Sequence, residues 1–166
     1  MIDIIQISSP TDLDAAFAIR RQVFVDEQNV SADEEYDEFE TSSNHFLARI
    51  DTVPVGTARW RRTANGTKLE RFAVLKAYRS RGVAKALVQA VLNDVFGQQP
   101  QNSIEQIYLH AQLTAMPLYT GFGFVPVGPL FDEAGIQHQK MVLPGRSDEP
   151  VDSPGVDSPG FSRSIQ

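Results

Sequence analysis

Between Val74 and Leu87 the chain reads Val74-Leu75-Lys76-Ala77-Tyr78-Arg79-Ser80-Arg81-Gly82-Val83-Ala84-Lys85-Ala86-Leu87. A β-rich run ends, basic residues follow, and a helix opens at a glycine with small residues in its first turn. The first amides of a helix have no partner inside the helix. They point outward together and carry the positive end of the helix dipole. Small residues let an anion approach that backbone, so the segment is built to hold a phosphate group. Arg79, Arg81 and Lys85 add positive charge around it. The same residues also suit an ordinary strand–loop–helix connection with a solvated basic loop. The segment lacks the G-x-x-x-x-G-K-[ST] pattern of a nucleotide P-loop and the G-x-G-x-x-G pattern of a dinucleotide site.

Other residue types narrow the chemistry. There are no cysteines, which excludes disulfides, thiolate metal sites and a cysteine nucleophile. His45, His110 and His138 have no ligand-like spacing, so no metal site is expected. Glu70 alternates along a strand onto one face with Phe72 and Val74. A carboxylate among apolar neighbours holds its proton to higher pH, which suits a general base; a salt bridge with a nearby arginine is the equal alternative. Asp26–Glu40 holds Asp33, Glu34, Glu35, Asp37, Glu38 and Glu40. That stretch either attracts an ammonium group or, in the favoured reading, forms a solvated loop. Arg59-Trp60-Arg61-Arg62 divides its arginines between two strand faces and makes no basic patch.

These groups need a scaffold of alternating strands and helices. Ile2–Ile7 reads as a strand. Ser9-Pro10 caps a helix running to about Val25. Phe46–Ile50 and Val55–Arg61 read as strands joined across Asp51–Pro54, and Leu69–Val74 as another strand after the turn signal Asn65-Gly66. From Gly82, the residues Ala84, Leu87, Val88, Val91, Leu92, Val95 and Phe96 make one apolar helical stripe that ends at Gly97 and Pro100. Ile107–Ala111 is a short strand, Ala115–Gly121 a short helix, and Phe124–Val127 and Gln139–Leu143 are closing strands.

The 166 residues suit one globular domain, 1–144. From Gly145 to Gln166 the chain turns rich in Ser, Pro, Gly and Asp, with Val151-Asp152-Ser153-Pro154-Gly155 repeated at once. So little apolar surface cannot offset ordering entropy, and a disordered tail is expected. The net charge of −6 disfavours broad nucleic-acid binding. No apolar run reaches the roughly 18–20 residues of a membrane span, and Met1–Ile5 lacks a signal peptide's basic start. A cytoplasmic protein is expected.

Arg79-Ser80-Arg81-Gly82-Val83-Ala84 resembles the [RQ]-x-x-G-x-[GA] motif of the GNAT N-acetyltransferases. In that family its backbone amides bind the pyrophosphate of CoA. Glu70–Val74 resembles the strand whose backbone pairs with the pantetheine arm, and Ile107–Ala111 the strand that splays away to admit it. Ala115-Met116-Pro117-Leu118-Tyr119-Thr120-Gly121-Phe122-Gly123-Phe124 resembles the family's A-x-x-[FL]-Y-x-x-x-G-F segment. Arg20–Gln28 and Leu109-His110-Ala111-Gln112 further resemble a bacterial subgroup with loosely defined substrates. The likeness covers about residues 2–143; the repeat tail departs from it.

The resemblance implies an α/β (α+β) fold with a mixed, mostly antiparallel sheet flanked by helices. It implies direct, sequential transfer of an acetyl group from acetyl-CoA, as co-substrate, to a primary amine. Phe72, Ala73, Val74, Arg79, Arg81, Gly82, Val83, Ala84 and Lys85 would hold the cofactor. Tyr119 would be the acid that protonates the leaving thiolate, with Glu70, His110 or water as the base. Packing roles for Tyr119 and His110 are the plain alternatives. A non-catalytic CoA-binding module and an enzyme with a longer acyl donor are the rival functions, and a homodimer is left open.

Overall fold

The computed structural model describes residues 1–99 and 105–144; the expected tail from Gly145 lies outside them. Along the chain run β1 (Ile2–Gln6), α1 (Pro10–Arg20), a π-helical turn (Arg21–Glu27), α2 (Ala32–Glu35), β2 (Asn44–Ile50), β3 (Val53–Thr63) and β4 (Gly66–Val74). Then come α3 (Val83–Gln98), β5 (Ile107–Gln112), α4 (Met116–Thr120), β6 (Val125–Glu133) and β7 (Ile136–Leu143). The strand order is β1-β2-β3-β4-β5-β7-β6, and β1–β2, β2–β3, β5–β7 and β6–β7 are antiparallel. This is the mixed, mostly antiparallel α/β fold expected from the sequence.

The described residues divide into two compact units, 1–61 with 69–98, and 62–68 with 99 and 105–144. In the first unit Ser9 caps α1, its side chain accepting from the Asp12 amide at 3.1 Å, with Pro10 in the first turn. Beyond Arg20 the helix does not continue as α to Val25. It widens into the π turn, where the Gln28 amide reaches back five residues to Val23 O at 3.1 Å. The β2–β3 hairpin turns on Asp51 and Thr52, both left-handed at φ 50° and 70°.

Helix α3 buries Leu87, Val88, Val91, Leu92 and Val95 of the stripe predicted from spacing; Val83 joins them, and Ala84 is only half-buried. Phe96 departs from the stripe and is 39% exposed, one step around the helix past the buried edge. Gly56 in β3 permits close approach of this helix. A Cβ there would stand 3.0 Å from Val83 Cγ1, 3.1 Å from Ala73 O and 3.2 Å from Leu87 Cδ1.

In the second unit β7 lies between β5 and β6, with His110 opposite Lys140 and Phe131 opposite His138. The edge strand β6 loses register between Val127 and Phe131, at Gly128-Pro129-Leu130. Proline lacks the amide a ladder needs, so it belongs on such an edge. Thr63 and Tyr108 share a hydroxyl hydrogen bond of 2.7 Å, and the Thr67 amide donates to Gln106 O at 2.8 Å. Leu109, Phe124 and Met141 are fully buried here.

Gly56→Val adds three carbons where the first already meets a backbone oxygen and two side chains. Overpacking of this kind typically costs about 1–3 kcal/mol. Urea unfolding is expected to show a loss of that size in Gly56→Val.

Candidate functional site

The loop between β4 and α3 leads from Val74 to a helix that opens at Val83, just after Gly82. Ser80 and Gly82 are both left-handed, at φ 65° and 89°. Left-handed residues within a turn can bring neighbouring amides toward one concavity, which favours anions. The first hydrogen bond into the helix is from the Ala86 amide to Gly82 O at 3.0 Å, so the amides of Val83, Ala84 and Lys85 have no helical partner. Arg81, Gly82 and Lys85 are exposed. Among the described residues beyond its chain neighbours, a Cβ built on Gly82 would meet only Ile2 Cδ1, at 4.0 Å.

The two loop arginines differ. Arg81 lies over the Tyr78 ring at 5.3 Å. Arg79 is already committed: its Nη atoms donate to both oxygens of Glu27 at 2.8 and 2.7 Å, and its Nε to Val74 O at 2.9 Å. It fastens the loop to the π turn and to the end of β4. That hydrogen bond from Arg79 holds the Glu27 carboxyl below its ordinary range. Gln22, Val23, Asp26 and Glu27 of the turn and Leu75 and Lys76 after β4 line a cleft of about 250 Å³.

Strand β4 carries Glu70, Phe72, Ala73 and Val74, but simple alternation fails within it. Arg71 adopts φ 60°, a left-handed conformation inside a strand. A non-glycine residue held there typically costs about 1–3 kcal/mol and persists only where its surroundings fix it. The Arg71 guanidinium supplies that fixing: Nη2 donates to Glu35 O at 3.0 Å and Asp37 Oδ2 at 3.2 Å, and Nε lies 3.3 Å from Glu35 Oε1.

Glu70 is 8% exposed, and its neighbours are cationic. Its Oε2 accepts from Arg59 Nε at 2.8 Å and Arg61 Nε at 2.6 Å. Of the two alternatives read from sequence, the salt bridge is present. The acidic stretch is likewise neither a solvated loop nor a free anionic surface where it matters. Arg59, fully buried, donates to Asp37 at 3.0 and 2.7 Å and to Glu40 at 2.8 Å. Arg20, 1% exposed, donates to Glu35 Oε2 at 2.6 Å and to both Glu40 oxygens at 2.8 Å. Four guanidiniums, Arg20, Arg59, Arg61 and Arg71, thus face four carboxylates, Glu35, Asp37, Glu40 and Glu70. Asp33, Glu34 and Glu38 stay exposed.

Burial opposes charge in this cluster, and the outcome differs by position. At Asp37 burial is outweighed by hydrogen bonds from Arg59 and the Phe39 amide, and its carboxyl is held at about 2. At Glu40 burial is outweighed in the same way by Arg20. At Glu35 burial prevails over Arg71 and Arg20 and raises the carboxyl. Arg59 binds its proton more firmly than usual, because Asp37, Glu70 and Glu40 overcome its own desolvation. Trp60, on the other face of β3, donates instead to Asp94 of α3 at 2.9 Å.

In the second unit Tyr119 stands on α4, 6% exposed, edge-on to Phe124 at 6.1 Å. Burial alone pushes its phenol far above the usual range, so the hydroxyl stays protonated. His110 on β5 is partly exposed, and its Nδ1 lies 3.0 Å from Glu133 Oε1. Glu27, Arg71 and Glu133 were not singled out in sequence; only the fold brings them to Arg79, the acidic cluster and His110. Among the described residues no group of His, Asp or Glu is arranged to hold a metal ion, and no helix is long and apolar enough to cross a membrane.

The model of a family described as "Acetyltransferase (GNAT) domain" matches residues 9–144. The uncharacterized N-acetyltransferase YjcF of Bacillus subtilis is 38% identical over 128 residues, spanning 76% of this chain and 89% of that protein. The crystal structure of Escherichia coli ElaA superposes with a TM-score of 0.75 at 26% identity, covering 86% of this chain and 99% of the other. A GNAT family acetyltransferase from Elizabethkingia anophelis, solved with acetyl-CoA bound, shares the fold at TM-score 0.65 and 14% identity over 86% of this chain and 97% of that one.

Arg59→Met removes the charge that three carboxylates share. Leaving buried partners uncompensated typically costs about 3–5 kcal/mol, and chemical denaturation should show a loss of that order. Asp37 sets a pH dependence. Its folded value lies below the ordinary 3.8, so its stabilisation is complete above about pH 4 and is lost as pH falls toward about 2. Acid unfolding of the wild type is expected to steepen in that window, and Asp37→Asn to flatten it.

Proposed function

The chain belongs to the GNAT acetyltransferase family, and from that premise we propose that it transfers an acetyl group from acetyl-CoA directly to a primary amine. The observation that carries this reading is the loop Arg79–Lys85, with its two left-handed residues and the unpartnered first amides of α3. The pyrophosphate of CoA takes those amides, with Arg81 and Lys85 beside it. Arg79 acts through Glu27 and Val74 O to hold the loop in shape. The pantetheine arm runs along the backbone of Phe72, Ala73 and Val74. An amide near Ala73 or Val74 polarises the thioester carbonyl.

In the reaction the neutral amine attacks the thioester carbonyl carbon. The C–S bond breaks, Tyr119 gives its proton to the departing sulfur, and the proton lost from nitrogen goes to His110. His110 then gives its proton to solvent and Tyr119 takes one back from solvent, so both side chains return to their starting states. Burial keeps the phenol protonated, so it has a proton to give; the same burial makes it a weaker acid, and the transfer depends on the charge of the departing thiolate beside it. A partly exposed imidazole suits the base role better than Glu70, whose oxygen is engaged by two arginines. We assign Glu70 to the cluster that holds β4.

Thiol release from acetyl-CoA, measured against a panel of a polyamine, an amino sugar, a free amino acid and a lysyl peptide, tests the activity. CoA binding without acetylation of any amine would favour a binding module. Longer acyl-CoA donors turned over faster than acetyl-CoA would move the donor. Gly82→Val places a β-branched residue at φ 89° in the path of the anion. Calorimetry should show CoA affinity falling at least about tenfold in the folded variant; unchanged affinity contradicts the loop assignment. Tyr119→Phe should lower kcat about 10²–10⁴-fold with CoA affinity nearly unchanged. A packing role would instead lower the melting temperature and leave kcat in place.

A further inference from the structure

We infer that Glu133 is a positioning residue for His110: it fixes the imidazole with its proton on Nδ1 and leaves Nε2 as the basic atom. This rests on the reading of His110 as the base. Glu133 closes β6, and His110 lies near the middle of β5, with β7 between the two strands. The ring nitrogen Nδ1 is 3.0 Å from Glu133 Oε1. The hydrogen bond from His110 holds the Glu133 carboxyl below its ordinary range against its partial burial. An ionised carboxylate only accepts hydrogen bonds, so the proton between the two atoms is on Nδ1. Imidazole in water slightly prefers its proton on Nε2. Without an acceptor at Nδ1 the lone pair would face the wrong way for proton abstraction.

The surroundings fix the ring without competing for Nε2. Phe131 of β6 meets His110 edge-on at 5.0 Å, and Tyr108 of β5 lies tilted at 5.9 Å. Across the ladder Lys140 of β7 stands opposite His110, but its ammonium lies over the Tyr108 ring at 5.0 Å. His138 of β7 stacks on the far partner, Phe131, at 5.9 Å and directs its own Nδ1 to Ile136 O at 2.7 Å. Lys68 of β4 acts on the Glu133 charge. Among the described residues none hydrogen-bonds His110 Nε2. The side chains of His110 and Glu133 are 26% and 42% exposed, and an ion pair so exposed contributes little to stability. A purely structural role would therefore leave almost nothing for Glu133 to do, whereas setting a tautomer needs only its position and charge.

Long-range ¹H–¹⁵N correlation spectra of the free, full-length protein read the tautomer directly. His110 in the wild type should show the Nδ1–H signature, and Glu133→Ala should shift it toward Nε2–H. Glu133→Gln, whose amide oxygen still accepts, should keep most of the Nδ1–H form. An Nε2–H signature in the wild type, or no change in Glu133→Ala, overturns the inference. With acetyl-CoA and whichever amine of the panel the wild type acetylates, kcat of Glu133→Ala should fall roughly tenfold, part of the 10²–10⁴-fold that a general base contributes. KM for acetyl-CoA and the melting temperature should hold. An unchanged kcat in Glu133→Ala overturns the positioning role. Wild-type turnover in His110→Asn, with the tautomer as described, shows instead that the base was misassigned.

Discussion

The guanidinium of Arg59 has no access to water, and its charge must be answered inside the protein. Moving such an ion from water into a protein interior costs several kcal/mol unless its hydrogen bonds and charge are matched. Asp37, Glu40 and Glu70 supply the match, and each comes from a different place: the segment after α2, its continuation before β2, and strand β4. The same requirement recruits Arg20 of α1 to Glu35 and Glu40. One buried cation therefore pins α1, the acidic segment, β3 and β4 together. It also holds Arg71 in its strained conformation, because Glu35 and Asp37 anchor that side chain too. The three residues after Arg71 are those proposed to meet pantetheine.

The proposed function depends on how this cluster is joined to β4 and to the loop that follows it. Arg71 interrupts the alternation of the strand, Val74 ends it, and Val74 O accepts from Arg79. Arg79 in turn is clamped by Glu27 at the π turn. The loop that presents the first amides of α3 is thus held on both sides, by the strand and by the widened end of the first helix. A concavity made of backbone amides binds well only when those amides need not be ordered on binding.

How much of this was legible in sequence follows the range of each interaction. The loop, the stripe of α3 and the Ser9 cap depend on residues within a turn or two of each other, and their spacing reveals them. Phe96 falls off the stripe because one residue turns it past the buried face. Glu70 and the acidic stretch were harder, because their partners lie 9 to 36 residues away and a run of acids looks the same whether solvated or paired. The π turn has no residue signature, since the same apolar spacing suits an α-helix. Glu133 and His110 meet only because β7 separates β5 from β6 at a register that bulges at Gly128–Leu130.

The cluster around Arg59 is proposed to hold β4 and its loop ready for CoA. Amide chemical-shift mapping during a titration of the ¹⁵N-labelled full chain with CoA tests it most directly. The largest changes are expected at Gly82–Lys85 and Phe72–Val74, while Arg59 and its three carboxylate partners scarcely move. Large changes confined to other segments, or saturation with the Gly82–Lys85 amides unaffected, would contradict it.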